Sequence, residues 1–381
     1  MLNRGELFFQ LQKLSSRLFK DLSYESEIAQ SKLNEISQDP FFKNKAEKSN
    51  SSFLVPSWNG NLTDVFDIKY YLDKYSVLAV DGSQVYPDRN VSGAGCFLIN
   101  TGGCFINYSE KSETRFFSEP TVFLIEDVLE KGINIGFSKD LVDFKREELE
   151  LEKLLNVGLE KRVDLCLVDG TVIFWSLGGK QDEIKDLFLE KYLKYLDRFY
   201  EEKLLIAGFI SFPKSKEIVN LIKLGLCRFD FAECIACHRD FAEFPCAAVD
   251  SLIDTQILRS FLKINQRSTI FFSNSKIVEE YPEHLKPAFF YLNLGKEIVR
   301  IETFSWVIRN PEWIDFICRV AIDQSKKGFG YPVVLAEAHE QAVVKGPDRE
   351  FFYYLLQKEA IEQNKRLFYS QKSLKKRGLG I

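Results

Sequence analysis

Two short segments constrain the fold more than anything else in the chain: VLAVDGS, which closes on Asp81-Gly82-Ser83, and LCLVDGT, which closes on Asp169-Gly170-Thr171. An unbroken run of aliphatic residues without polar alternation reads as a strand buried on both faces. A glycine after it lets the chain turn at the sheet edge. Each aspartate is therefore predicted at a strand end. Two carboxylates held on one rigid sheet are a common way to grip a divalent cation in front of a phosphate. The competing reading is a pair of ordinary turns, because Asp-Gly is a frequent turn dipeptide.

The intervening pattern supports one sheet. Strand-like runs Cys96–Asn100 and Cys104–Tyr108 flank Thr101-Gly102-Gly103, a hairpin signal. Ser138 or Asp140 can cap a helix running to about Val157, with Gly158 near its end. Strand Leu165–Asp169, a charged helix over 181–202, strand Leu204–Ile210 and a helix from Lys214 follow. Strand, hairpin, helix, strand, helix, strand is the order of an α/β, ribonuclease-H-like mixed sheet flanked by helices.

The reading divides the chain into an N-terminal helix with a polar linker (1–62), a main α/β domain (63–370) and a basic tail (371–381). Within the middle part the core spans about 70–226, a cysteine-rich insertion about 227–250 and a C-terminal αβ portion about 251–370. The N-terminal helix, predicted over 5–38, carries Leu7, Phe8, Leu11, Leu14, Leu18 and Leu22 at helical spacing, a face for the core or a partner. The C-terminal portion has strand-like Phe289–Leu292 and Ile298–Glu302 and a helix near Glu312.

Bulk composition sets outer bounds. With 381 residues, 45% of them hydrophobic, the chain can bury a sizeable core. Apolar runs are strand-length and no leader pattern is present, so a cytoplasmic protein without a membrane span is expected. The formal net charge of −4 directs any nucleic acid to local basic patches. Candidates are Lys365, Arg366, Lys372, Lys375, Lys376 and Arg377 in the tail, and Lys214 with Lys216.

A third acidic ligand is expected from the helix preceding the second aspartate strand, which offers Glu147, Glu148, Glu150 and Glu152. At about 100° per residue, Phe144, Leu151 and Leu155 define a buried face, and Glu148 lies roughly 20–40° from its centre. Glu152 sits at the edge of that face, and Glu150 is predicted to point away. Glu148, then Glu152, are the geometric choices. Three carboxylates about 4 Å apart repel by roughly 4 kcal/mol per pair at an effective dielectric near 20, so such a cluster requires a cation. Hard oxygen donors select Mg²⁺ or Mn²⁺.

Four of the eight cysteines, Cys227, Cys234, Cys237 and Cys246, fall in one twenty-residue window. They are read either as reduced core residues or as a structural Zn²⁺ or iron–sulfur site. CIACH matches the c-type haem attachment pattern, but attachment requires export, which the chain is not expected to undergo.

Several segments in order resemble the NurA family of DNA-repair nucleases: AVDGSQVYP, LVDGTVIFW, AGFISFPKSKEIVNLI, FFYLNLGKEIVRIETFSWV and YPVVLAEAHEQAVVKGPDREFFYYLL. Together they cover roughly residues 70–370. The resemblance implies Mn²⁺-dependent DNA end processing, with 5′-to-3′ exonuclease and single-strand endonuclease activity in double-strand break repair. It also implies a homodimer working with the hexameric HerA translocase. Asp81, Asp169, a helix glutamate (Glu148 or Glu152), Tyr331 and His339 take the places of its functional residues. An imidazole at His339, read as lying at a helix start, can ligate an ion or move a proton, and Tyr331 can bond a phosphate. Two other readings are an actin-like or sugar-kinase-type ATPase, with Ser92-Gly93-Ala94-Gly95 or Thr101-Gly102-Gly103 as phosphate loops, and a catalytically silent subunit that docks on a translocase.

Overall fold

The computed structural model describes residues 2–69, 71–87, 91–92, 95–128, 138–180, 182–240, 244–365 and 368–369. Its centre is a run of strands and helices labelled here in chain order. The strands are β1 (Tyr75–Val85), β2 (Cys96–Tyr108), β3 (Glu113–Leu124), β4 (Leu165–Asp169), β5 (Leu205–Ile210), β6 (Pro287–Asn293) and β7 (Ile298–Phe304). The helices are α1 (Arg4–Leu18), α2 (Ser23–Gln38), α3 (Lys139–Lys161), α4 (Asp182–Glu201), α5 (Glu217–Leu226), α6 (Pro311–Lys327), α7 (Val333–Ala342) and α8 (Gly346–Glu362).

The first five strands lie in the order β3-β2-β1-β4-β5. β1 pairs antiparallel with β2 and parallel with β4, and β4 pairs parallel with β5. This is the ribonuclease-H-like mixed sheet. β7 and β6 continue it antiparallel beyond β5, so the C-terminal αβ portion extends the same sheet. β4 and β5 are completely or nearly buried over most of their length, as their aliphatic runs require. α3 starts where the Ser138 hydroxyl accepts from the Leu141 N–H, and α3 and α4 pack together through Phe144 and Phe188, with ring centroids 5.3 Å apart.

Four local expectations change. β1 does not stop at Asp81: it continues to Val85, which places Asp81 within a strand rather than at its end. Thr101-Gly102-Gly103 is the middle of the 13-residue strand β2, and the turn to β3 falls at 109–112. The glycines serve packing. A Cβ on Gly103 would enter the Phe117 ring, and one on Gly102 would collide with the backbone of Gln341 and Ala342 in α7. The N-terminal segment is two helices separated at 19–22, with Leu7, Leu11, Leu14 and Leu18 exposed on α1, while α2 buries Ala29, Leu33 and Ile36. The stretch read as a linker holds a helix, Phe42–Lys48, and a strand, Ser57–Trp58, because Phe42, Trp58 and Leu62 join a hydrophobic cluster with α2 and α5. Of the tail's basic residues, only Lys365 lies within the described residues.

Candidate active site

Asp81 sits in β1 opposite Gly102 of β2. Because that glycine has no side chain, α7 lies directly on the sheet, and the Asn100 amide fastens it by donating to the Gln341 and Ala342 carbonyls at 3.1 and 2.9 Å. The close approach brings His339 Nδ1 to 2.7 Å from Asp81 Oδ2. A carboxylate accepts, so Nδ1 carries a proton in this contact, which leaves Nε2 as the nitrogen facing away from Asp81. His339 is the seventh of ten residues in α7, not at its start.

Asp169 ends β4 beside Phe209 of β5, and Gly170 turns the chain away at φ +120° with its N–H bonded to the Phe209 carbonyl. The Tyr331 phenol donates to Asp169 and packs edge-on against Phe209 at 5.7 Å. Burial raises the Asp169 carboxyl above its ordinary range, Tyr331 opposes the shift, and the neighbouring Asp81 charge adds to it. The Tyr331 phenol is raised by burial and by the same two aspartates.

The helix acid differs from the expectation. On α3, Glu150 and Glu147 line a cavity of about 350 Å³ with Asp81, Arg146, Asp169, Gly170, Thr171 and Trp175, and neither Glu148 nor Glu152 does. Glu148 accepts from Lys145 at 2.8 Å, and Glu152 bonds Tyr195 of α4. Residues two apart on a helix project about 160° from each other, so Glu148 and Glu150 serve opposite sides. Both are sheltered because α3 lies between the sheet and α4. The bare Gly82 is what admits Glu150: a Cβ there would sit 2.5 Å from Glu150 Oε1. Burial drives the Glu150 carboxyl up to about 8; Arg146, paired to it at 2.5 Å, opposes this, and Asp81 reinforces it. Asp81-Gly82 carried this signal in the sequence, since a glycine beside a strand aspartate marks where a neighbouring helix approaches.

Among the described residues, no three His, Cys, Asp or Glu side chains are drawn tightly enough together to cage a metal ion as they stand. The chemistry of the Asp81, Glu150 and Asp169 donor set nevertheless fits a hard divalent cation. Four carboxylates line one cavity, Glu147 being the fourth, three of them resist ionising, and Arg146 is the only positive charge among the described residues that line it. The cysteine window is different. Cys227, Cys234, Cys237 and Cys246 are not joined in disulfides, burial pushes Cys246 up with Cys234 and Cys237 adding to the shift, and among the described residues no three His, Cys, Asp or Glu side chains there are placed to hold Zn²⁺ or an iron–sulfur cluster as they stand. The short helix Cys234–Asp240 and the turn Pro245–Val249 carry three of them as partly buried packing residues. The His238 side chain lies outside the described residues, as do Gly93 and Ala94 of the glycine-rich Ser92–Gly95 segment. With Thr101–Gly103 inside a strand, that candidate phosphate loop of the ATPase reading is absent.

A ribonuclease-H-like sheet carrying paired aspartates, a helix glutamate, a tyrosine and a histidine on one cavity and its rim defines a class of carboxylate-centred α/β proteins. The NurA domain model matches residues 75–344, and the chain belongs to that family. The NurA nuclease of Sulfolobus solfataricus has the same fold: 15% identity, covering 95% of this chain and 98% of that one, with a TM-score of 0.55. Fainter likenesses are to Thermus thermophilus RuvC (12% identity, 49% and 95% coverage, TM-score 0.17) and to the trimeric exonuclease PhoExo I of Pyrococcus horikoshii (9%, 60% and 99%, 0.21). No curated protein matches.

Proposed function

We propose that this protein is a divalent-metal-dependent nuclease that hydrolyses DNA phosphodiester bonds. The observation that carries the reading is the meeting of Asp81, Glu150 and Asp169 around one cavity, with His339 and Tyr331 bonded to the two aspartates. Family membership and fold support a nuclease. Asp81, Glu150 and Asp169 would hold Mn²⁺ or Mg²⁺, which supplies Lewis-acid polarisation of a phosphoryl oxygen and a lowered pKa for attacking water.

The chain's own groups do the rest. Asp81 orients the His339 ring through Nδ1, leaving Nε2 to carry a proton between water and the departing oxygen. Tyr331 holds the Asp169 carboxylate in place and keeps its own proton, so it presents a neutral phenol beside the phosphate. The apolar flank of Leu151, Leu154, Val172 and Phe174 limits water around the acids and strengthens these interactions. We extend the reading, with the family, to 5′-to-3′ exonuclease and single-strand endonuclease activity in DNA end resection, a homodimer, a HerA-like hexameric partner and a cytoplasmic location. Among the described residues, no helix is long and apolar enough to cross a membrane.

The test is cleavage of single strands and duplexes labelled at the 5′ or the 3′ end, with Mn²⁺ and without ATP, by wild type and Asp81→Ala. Loss of about a hundredfold or more in the variant, with its circular dichroism unchanged, is expected. Equal cleavage by both proteins would sink the site assignment.

A further inference from the structure

Two of the most exposed large apolar side chains are phenylalanines on strained backbone. Phe212 is 79% exposed at φ +45°, and Phe329 is 87% exposed at φ +58°. A bulky side chain in the left-handed region is an outlier, costs free energy, and persists only where surrounding bonds enforce it. Here they do. The Phe212 N–H donates to Glu297 Oε2 at 3.0 Å, and the Ser211 hydroxyl donates to the same carboxylate. The adjacent Lys296 donates to the Phe329 carbonyl at 2.6 Å. Two neighbouring residues in the β6–β7 turn thus clamp both loops. Gly328 and Gly330 flank Phe329, and Pro213 fixes the exit from Phe212.

Both loops adjoin the catalytic residues. Phe212 follows β5, whose Phe209 pairs with Asp169, and Phe329 stands two residues before Tyr331, which bonds Asp169. Each also sits in a basic stretch: Phe212-Pro213-Lys214-Ser215-Lys216 and Lys326-Lys327-Gly328-Phe329. Lys296 and Lys326 surround Phe329 at a surface cavity of about 260 Å³. Rigidly presented rings among cations are what an unpaired strand uses, because every base has a π-face and every linkage a negative charge. A buried interface would not require the rings to stand free in water on enforced backbone.

We propose that Phe212 and Phe329 are a pair of aromatic platforms on which bases of a single DNA strand stack beside the catalytic cavity, with Lys214 and Lys326 drawing in the phosphates. The proposal rests on the nuclease reading for its substrate and makes a separable claim about base stacking. Asp81→Asn protein in metal-free buffer serves as parent, and anisotropy of labelled oligothymidylate is compared with that of an abasic oligomer of equal length. Phe212→Gly and Phe329→Gly suit their positive φ and should melt at or above the parent temperature. Each should bind oligothymidylate about tenfold more weakly while affinity for the abasic oligomer holds. Phe→Leu versions, which keep apolar bulk without the ring, should follow the glycine variants. Unchanged affinity for oligothymidylate, or equal weakening toward both probes, overturns the proposal and leaves the rings to a protein partner or to packing. Wild-type cleavage of the same oligothymidylate with Mn²⁺ is scored separately. Base-dependent binding without cleavage keeps the platforms and defeats the nuclease reading; cleavage without base dependence does the reverse.

Discussion

Substituting Gly102 by alanine perturbs the site without touching any group that does chemistry. A Cβ at this position would fall within bonding range of the α7 backbone at Gln341 and Ala342, whereas ordinary carbon contacts are about 3.5–4.0 Å. α7 must therefore retreat by more than about 1 Å, or β2 must bend. Overpacking of this kind costs roughly 1–3 kcal/mol of stability. The functional loss should be larger in proportion. Gly102 is the register partner of Asp81, and a retreat of 1 Å stretches the 2.7 Å His339–Asp81 bond beyond hydrogen-bonding range. Misplacement of a reacting group by that distance can cost about a hundredfold in rate. The assay is Mn²⁺-dependent cleavage beside urea unfolding, with Gly95→Ala as control, because a Cβ there meets nothing within 4 Å. Gly102→Ala should lose about a hundredfold in rate while remaining folded, and Gly95→Ala should match wild type. Wild-type cleavage by Gly102→Ala would refute the claim that this bare strand position seats the histidine.

Glu150→Gln should lower cleavage by about a hundredfold or more, while Glu148→Gln and Glu152→Gln, facing Lys145 and Tyr195, should stay within about threefold; the opposite ranking would restore the wheel-based choice. His339→Ala should reduce the rate by about 10²–10⁴-fold, and a smaller loss would remove it from proton transfer. Glu150 also predicts a pH dependence. Its carboxyl holds a proton up to about 8 in the folded protein and releases it near 4.5 when unfolded, so the metal-free fold loses stability as pH rises from 4.5 to 8. Melting in chelator should show that slope, Glu150→Gln should flatten it, and Mn²⁺ should offset it at pH 8. Apparent Mn²⁺ affinity should correspondingly climb by about tenfold per pH unit toward 8, and a pH-independent affinity would argue against Glu150 as a ligand.

Much of the core was legible because its signals are local. An uninterrupted aliphatic run such as Leu165–Val168 has no solvent face and must be a central strand, and the cap at Ser138 fixes where α3 begins. What was not legible depends on partners distant in sequence. Thr101-Gly102-Gly103 has the composition of a turn, and only the arrival of α7 from 240 residues downstream shows that the glycines are vacant space within a strand. The same holds for Phe42 and Trp58. In a polar stretch they look incidental, yet they close the cluster between α2 and α5.

That Glu150 rather than Glu148 lines the cavity is a placement amphipathicity alone does not find. A helical wheel assumes one buried face, and its centre then names the residue nearest the core. α3 has two. Phe144, Leu151 and Leu155 supply the apolar face that the wheel finds, and Glu148 lies on it near Tyr195 of α4. Asp143, Arg146 and Glu150 supply a polar face against β1, where Gln84 bonds Asp143 and Gly82 leaves room for Arg146 and Glu150. A charged stripe that would ordinarily meet solvent is turned toward the sheet because the central strands there are themselves polar, carrying Asp81 and Asp169. The relevant sequence pattern was therefore acids in register with a bare glycine on the facing strand, and it becomes readable only once the pairing of α3 with β1 is known.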